Sequence, residues 1–527
     1  MELDMKKILS LLVLFSLILS LTSCSIIDNL LNSFGNVPPS GDISGNDPSS
    51  SEKEPSNDDP SEKDPSDDDS SEKDPSDDEP SEKDPSSGDS SDVILSNSKL
   101  NGVNLSEFTI VYSSSSPDYT LRAARYIQSE IKARTGINLT ISTDYLAPKA
   151  HEIVVGETNR AISEKLEHES KSSEFSILAD NGSVALEADY FIIAAAAYFF
   201  IDSYVPANDF DASIPEQTTT HTPIVKEAKN FIILIGDGMG VYQTRLFEAL
   251  TNNRDFSDGE DIFYGYYLPY LAYSRTDSLS GTTDSAAGAT ALATGYKTQN
   301  RYVGIDINHN ELQSITELAA SLGKSTAVMS TTSASNATPA CFSAHALDRN
   351  DEADIEADQA AMAESLGTIF YCGNNRMNKS GITQIENNIV NILNKLDNDE
   401  DGFLLMYEEG HIDKYAAQNL MSNTFDCVIR FNQMIAIFME YAYYNPETVV
   451  IITADHETGD LKPNSNGEYE FGTTDHTSDN VPVFVHGYGM EIFDGKIVEN
   501  VQIPKTIAAF MGVDDFGDQT AYPSLKE

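Results

Sequence analysis

Phe231-Ile232-Ile233-Leu234-Ile235-Gly236-Asp237-Gly238-Met239-Gly240 is the stretch that decides the fold. An unbroken apolar run of this length reads as a strand buried on both faces, as in parallel sheets covered by helices on each side. The glycines after it let the chain turn sharply at the strand's carboxyl end. Asp237 is therefore expected at the mouth of the sheet, the edge at which open α/β sheets bind ligands. Two later segments repeat the arrangement. Phe403-Leu404-Leu405-Met406 runs into Tyr407-Glu408-Glu409-Gly410-His411-Ile412-Asp413, and Val449-Val450-Ile451-Ile452 runs into Thr453-Ala454-Asp455-His456. Thr474-Asp475-His476-Thr477-Ser478 adds an imidazole just before the apolar Val481 to Val485. Carboxylates delivered to one edge repel one another unless cations lie between them. Mixed Asp/His ligation suits zinc, and oxygen-rich ligation suits magnesium.

Ser285 is the candidate nucleophile, in Thr282-Thr283-Asp284-Ser285-Ala286-Ala287-Gly288-Ala289-Thr290-Ala291. The alanine-rich stretch favours helix and puts Ser285 near its N-terminus, where free N–H groups and the dipole accommodate an anion. A serine hydroxyl is a poor nucleophile at neutral pH, and coordination to a metal activates it without a histidine base.

The chain around these segments has 527 residues and a formal charge of -51, from 33 Lys and Arg against 84 Asp and Glu. That length implies more than one folded unit. The charge argues against a nucleic-acid partner, because phosphate neutralisation needs clustered cations. An anionic substrate would need a locally positive site, such as bound metal. Lys6 and Lys7 precede an apolar run from Ile8 to Leu21, too short to span a membrane and matching a secretion signal. Its end, Leu21-Thr22-Ser23-Cys24, resembles a bacterial lipobox. Residues 1–23 are thus expected to be a lipoprotein signal peptide, with Cys24 lipid-anchored on the outer side of the cell membrane, since two or more acyl chains give stable attachment. The other cysteines, Cys341, Cys372 and Cys427, have no metal-ligand spacing and form no disulfide framework.

Residues 24–92 read as a disordered acidic linker. Ser61-Glu62-Lys63-Asp64-Pro65 returns at Ser71 to Pro75 and at Ser81 to Pro85. Low hydrophobicity, recurrent proline and like-charge repulsion leave nothing there to form a core. Residues 93–226 read as a small α/β accessory domain. Its expected elements are a strand at Phe108–Tyr112, a helix from Tyr119 to Arg134 stopping at Gly136, strands at Leu139–Ser142 and Glu152–Val155, a hairpin about Asp180-Asn181-Gly182, and a helix from Tyr190 to Tyr204. It loosely resembles the non-catalytic α/β domain that precedes the barrel in several glycoside hydrolases. It carries no His/Asp/Glu constellation, so packing or positioning is the expected duty, with carbohydrate binding as the alternative.

Asp-Gly-Met-Gly at 237–240, Thr-Asp-Ser-Ala-Ala at 283–287, Asn336-Ala337-Thr338-Pro339-Ala340, Arg349, Glu408 to Asp413, Thr453 to His456 and His476-Thr477 follow one another in an order that resembles the alkaline phosphatases. The resemblance implies, for 227–527, a central mostly parallel sheet flanked by helices. It implies one metal pocket from Asp237, Ser285, Asp455 and His456, and a magnesium-type pocket from Asp237, Thr338 and Glu408. Arg349 matches the phosphate-clamping arginine, whose planar fork suits two phosphoryl oxygens. The remaining zinc pocket would use Asp413 and His476, but the histidine that relatives carry four residues after the aspartate is here Ala417. Asn336 stands where many relatives have Asp or His, and the stretch between Arg349 and Glu408 is short for the family. The implied activity is a Zn²⁺- and Mg²⁺-dependent phosphomonoesterase acting on small phosphate monoesters through a phosphoserine, slowed by the loss at Ala417. The alternatives are a phosphodiesterase of the same superfamily, or a degenerate surface lipoprotein that binds phosphate or metal without turnover.

Overall fold

A computed structural model describes residues 97–166, 173–247, 262–373 and 379–526. The signal peptide, the Cys24 anchor and the acidic linker expected in 1–92 lie outside the described residues. Strands β1 (Thr109–Tyr112), β2 (Thr140–Thr143), β3 (Glu152–Val155), β4 (Phe175–Asp180), β5 (Ser183–Ala188) and β6 (Thr219–His221) form one sheet in the order β2-β1-β3-β5-β4-β6. Its first four members are mutually parallel. The β4–β5 hairpin turns on Asn181 (φ 49°) and Gly182 (φ 77°), the paired positive φ angles of the tight turn that Asn-Gly favours. Helix α1 (Asp118–Thr135) ends at Gly136, whose φ of 74° lets its N–H reach the Lys132 carbonyl. The second expected helix begins as a 3₁₀ turn at Tyr190–Ile192 and becomes α2 (Ile193–Tyr204).

The decisive stretch of the sequence is β7 (Asn230–Gly236), buried along its whole length at the centre of a second, eight-stranded sheet. With β8 (Tyr270–Arg275), β9 (Ser325–Ser330), β10 (Ile369–Cys372), β11 (Phe403–Glu409), β12 (Thr448–Thr453), β13 (Val481–His486) and β14 (Ile497–Glu499), the order is β10-β9-β11-β7-β12-β13-β8-β14. β10, β9, β11, β7 and β12 are parallel, and β13 runs antiparallel to both neighbours. Phe231, Ile233 and Ile235 share a core with Ala286, Ala289 and Leu292 of α3 (Ser285–Thr294). The long helix α4 (Met421–Tyr444) packs against β7 and β12.

β11 runs past the expected end at Met406 to Glu409, because β7 and β9 continue to pair with it on both sides: Gly236 lies opposite Glu409, and Ser330 opposite Glu408. The alternation of a strand then sends Glu408 and Glu409 to opposite faces. The two sheets belong to one compact unit. Arg122 of α1 grips Glu440 of α4 with bonds of 2.7 to 3.0 Å, and Tyr126 packs on Tyr444 with ring centroids 4.4 Å apart. Among the described residues no helix is long and apolar enough to cross a membrane. Cys341 and Cys427 are buried, Cys372 is half-buried, and all three are free thiols.

Candidate functional site

β7, β11 and β12 end side by side, so the turns after them are neighbours before any side chain is considered. Backbone bonds then lace those turns together. Asp237 N–H donates to the Glu409 carbonyl (3.1 Å), Asp413 N–H to the Asp237 carbonyl (2.9 Å), and Thr458 N–H to the Gly238 carbonyl (3.1 Å). Gly238 N–H donates to Asp455 Oδ1 at 3.2 Å. Gly238 has φ 74°, and a Cβ there would lie 2.7 Å from Thr458 Oγ1 and 2.9 Å from Asp413 Cα, so only glycine lets these turns meet. At Gly288 a Cβ would strike the Asp455 carbonyl at 2.8 Å, so α3 rests directly on the turn after β12.

This weave gathers Asp237, Asp455 and His456 into one group of potential metal ligands and Asp413, His456 and His476 into another, with ligand atoms in each within 4.8 Å of one another. Ser285 joins them: its Oγ lies 3.2 Å from His456 Nε2. That nitrogen is also 3.3 Å from Asp455 Oδ2 and 3.5 Å from Asp237 Oδ1. Asp284, not Ser285, caps α3, accepting from Ala287 N–H at 3.0 Å, which leaves the Ser285 hydroxyl at the first helical position. Arg349 does not pair with Asp348 or Asp351. Its Nη1 donates to Asp284 Oδ2 at 3.3 Å, tethering the guanidinium to the residue beside Ser285, while Asp348 is held by Arg301. Thr338, in the short helix Ala337–Cys341 that follows Asn336, is buried beside Glu408. Ser330 and Thr332 donate to Glu408 Oε2, the Thr332 bond at 3.1 Å.

Both histidines are oriented by partners that the sequence did not single out. Thr458 Oγ1 donates to Asp413 Oδ1 (2.7 Å) and so can only accept from His456 Nδ1 (3.2 Å). The Nδ1 proton is thereby fixed, and the Nε2 lone pair faces Ser285, Asp237 and Asp455. His476 Nδ1 donates to the Thr283 carbonyl (2.9 Å), aiming Nε2 at Asp413 Oδ1, 3.3 Å away. The ribbon that pairs Thr458 with His476 stacks the two imidazoles at 3.6 Å. Thr458 stands two residues after His456 in the chain, and only the ribbon shows why that spacing matters.

The donor set fits divalent cations. Asp237 Oδ1, Glu408 Oε1 and Asp455 Oδ2 are buried without a hydrogen-bond partner, a costly state for carboxylate oxygens that metal coordination relieves. Burial, with the neighbouring Asp455, Asp413 and Glu408 charges, pushes Asp237 well above the usual carboxylate range. Burial raises Asp455 to about 7 and also raises Glu408. Burial and the neighbouring His476 charge lower His456 to about 3, so its lone pair is a poor proton acceptor and remains free for a cation. Burial works against ionisation of Asp413 and His476, but their mutual bond wins, holding Asp413 below its ordinary value and raising His476 to about 9. Asp237, Asp455, His456 and Ser285 would hold one ion, Asp237, Thr338 and Glu408 an oxygen-ligated one, and Asp413 with His476 a third.

His411 joins neither ligand group. It is buried, with Nδ1 3.1 Å from Thr331 Oγ1 and 3.7 Å from Glu409 Oε1. Behind the site Glu409 meets Arg430 of α4 in a fully buried two-pronged ion pair, Nε–Oε2 2.6 Å and Nη2–Oε1 2.5 Å. Burial alone would raise Glu409, yet Arg430 and His411 outweigh it and hold the carboxyl below its usual range. Removing one partner strands the other charge, so Arg430→Met is expected to cost about 3–5 kcal/mol in urea unfolding. The double variant Glu409→Gln/Arg430→Met should recover most of that loss.

The alkaline phosphatase family profile matches residues 228–382 and 374–475, the region that carries all of these groups except His476. Residues 228–475 thus match the alkaline phosphatase family. The chain is 27% identical over 295 residues to alkaline phosphatase 4 of Bacillus subtilis, covering 46% of this chain and 64% of that relative. Alkaline phosphatase 3 of the same organism is 25% identical over 337 residues, covering 54% of this chain and 71% of the relative. The Escherichia coli alkaline phosphatase is 38% identical over 133 residues, 24% of this chain and 27% of the relative. Among solved structures, the alkaline phosphatase of the Antarctic bacterium TAB5 aligns over 55% of this chain and 100% of its own, at 25% identity and a TM-score of 0.47.

Proposed function

We propose that this chain is a metal-dependent phosphomonoesterase that works through a phosphoserine at Ser285. The observation that carries the reading is the placement of Ser285 Oγ at the N-terminus of α3, 3.2 Å from His456 Nε2 among converging carboxylates. When bound, divalent cations would lower the hydroxyl's pKa and neutralise phosphoryl charge. Ser285 Oγ attacks phosphorus in line, and the bond to the ester oxygen breaks as the new P–O bond forms. Arg349, steadied by Asp284, donates to the phosphoryl oxygens, and the free N–H groups at the start of α3 face the same charge. Water then attacks the phosphoserine, releasing phosphate and restoring the hydroxyl.

The test is hydrolysis of p-nitrophenyl phosphate against bis(p-nitrophenyl) phosphate by the purified protein. Preference for the diester would replace this reading with the phosphodiesterase one. Arg349→Ala is expected to weaken inhibition by inorganic phosphate by the loss of charge-assisted bonds worth about 1.5–3 kcal/mol. An unchanged inhibition constant would remove Arg349 from the phosphate site.

The same proposal places the enzyme outside the cytoplasm, tethered by lipid on Cys24 and carried on the acidic linker. Cys24→Ser is expected to leave an uncleaved precursor that no longer partitions with membranes as a processed lipoprotein. A mature native N-terminus that lacks lipid, found by mass spectrometry, would refute the anchor.

A further inference from the structure

A cavity of about 640 Å³ lies over the carboxyl ends of β1, β2, β3 and β5, remote in sequence from the phosphatase motifs. The chain passes from β1 through α1 to β2 on one side and then to β3 on the other, so the cavity occupies the switch point of the sheet, where α/β folds form ligand crevices. Its volume falls in the roughly 300–1,000 Å³ range of small-ligand sites. The rim is held in place beforehand. Asp144 accepts from Ser114 N–H and Asn159 N–H, each at 3.2 Å, and the Asn159 side chain returns a bond to the Asp144 carbonyl at 3.0 Å. At Gly156 (φ 72°) a Cβ would lie 3.0 Å from Thr120 Cγ2, so glycine allows the loop after β3 to close on α1.

The lining chemistry selects a class of ligand. Among the described residues no lysine or arginine lines the cavity, whereas Asp144, Glu157 and Asp189 do, which disfavours anions. Arg160, beside this loop in sequence, is 5% exposed and committed to Glu152 at 2.8 Å and to the Asp144 carbonyl at 2.9 Å. Hydroxyl-bearing Ser113, Ser115, Ser116, Thr120 and Thr158 are among its lining residues, so it is no apolar slot. One wall is aromatic. Tyr190 packs on Tyr119 (6.5 Å) and on Tyr267 (5.3 Å), the last contributed by the phosphatase region. Both pairs pack edge to face, and Tyr267 is only 1% exposed, so two partly exposed rings remain, too few for an aromatic cage around a quaternary ammonium. Tyr190 also has φ 46°, a left-handed conformation rare for a bulky residue, and such outliers gather at binding sites. We propose that this cavity binds a neutral oligosaccharide, Tyr119 and Tyr190, which stay partly exposed and are backed by the buried Tyr267, packing on sugar C–H faces and the hydroxyls and carboxylates meeting sugar hydroxyls. The proposal is independent of the phosphoester reading.

Saturation-transfer NMR and calorimetry on the full chain, with cellobiose, maltotriose, chitobiose and mannobiose against digalacturonate, test it. At least one neutral sugar should bind, with digalacturonate at least about tenfold weaker. Tyr119→Ala, and Ser115→Trp on the exposed rim, should each weaken that binding by a similar factor while the circular dichroism spectrum is retained. No binding by any of the four neutral sugars, equal binding of digalacturonate, or affinity unchanged in Ser115→Trp would each overturn the assignment.

Discussion

Ser285→Ala is expected to lower phosphomonoester turnover by on the order of 10³-fold or more and to abolish any covalent phosphoenzyme, the scale on which removal of a nucleophile acts while oriented donors keep a residual rate. In the proposed reaction the Ser285 hydroxyl is the group that forms the bond to phosphorus. His456 Nε2 lies at hydrogen-bond distance from it, but its lowered proton affinity makes it a poor general base at neutral pH. Rapid-quench trapping with ³²P-labelled substrate at acid pH reads the intermediate directly. Turnover that persists at the native rate in Ser285→Ala would eliminate the phosphoserine route.

Ala417→His is expected to tighten one zinc equivalent by at least about 10–100-fold, since even partners that merely orient a ligand are worth that much. The physical reason is a shortage of lone pairs. His456 is common to both ligand groups, yet its Nδ1 is committed to Thr458 and only Nε2 is free, so it can serve one cation. With His456 given to Asp237 and Asp455, the Asp413 pocket keeps Asp413 and His476, one short of the three protein ligands usual for catalytic zinc. Ala417 N–H donates to the Asp413 carbonyl at 2.8 Å, one helical turn on, so a histidine there would rise on the same face as Asp413. Metal analysis after dialysis against a weak chelator should show the native chain losing this equivalent first, with activity restored by added zinc and the variant retaining both. Full retention by the native chain, with no change in Ala417→His, would mean that another residue completes the pocket.

Much of the candidate site was legible because it rests on local patterns. Unbroken apolar runs at 231–235, 403–406 and 449–452 can be satisfied only as strands covered on both faces, and acids placed just beyond them must share an edge. The Asn-Gly turn at 181–182, the stop at Gly136 and the helix opening at Ser285 follow from backbone preferences that each residue carries with it. Less legible were the contacts that join distant turns. Arg349 could as easily have paired with Asp348 or Asp351 beside it, and only the packing of its loop against α3 gave it Asp284, 65 residues away. Glu408 and Glu409 look equivalent in sequence. The extension of β11 between β7 and β9 sends one to the side of Asp237 and Thr338 and the other to Arg430.

The sequence by itself determined which chemical groups the molecule owns, in what order, and which strands must be buried, because composition and periodicity act through burial and backbone geometry residue by residue. It also determined that Ala417 supplies no ligand. Tertiary structure decided how the ligands divide. Thr458 fixes the tautomer of His456, the ribbon at 457–458 and 476–477 stacks His476 upon it, and the one free lone pair makes the two groups compete. The switch-point cavity of the first sheet belongs to the same category. Its walls come from loops after four strands and from Tyr267 some eighty residues further on, and no local pattern records that they meet, since the meeting is fixed by strand order and by the packing of α1 and α2 on α4.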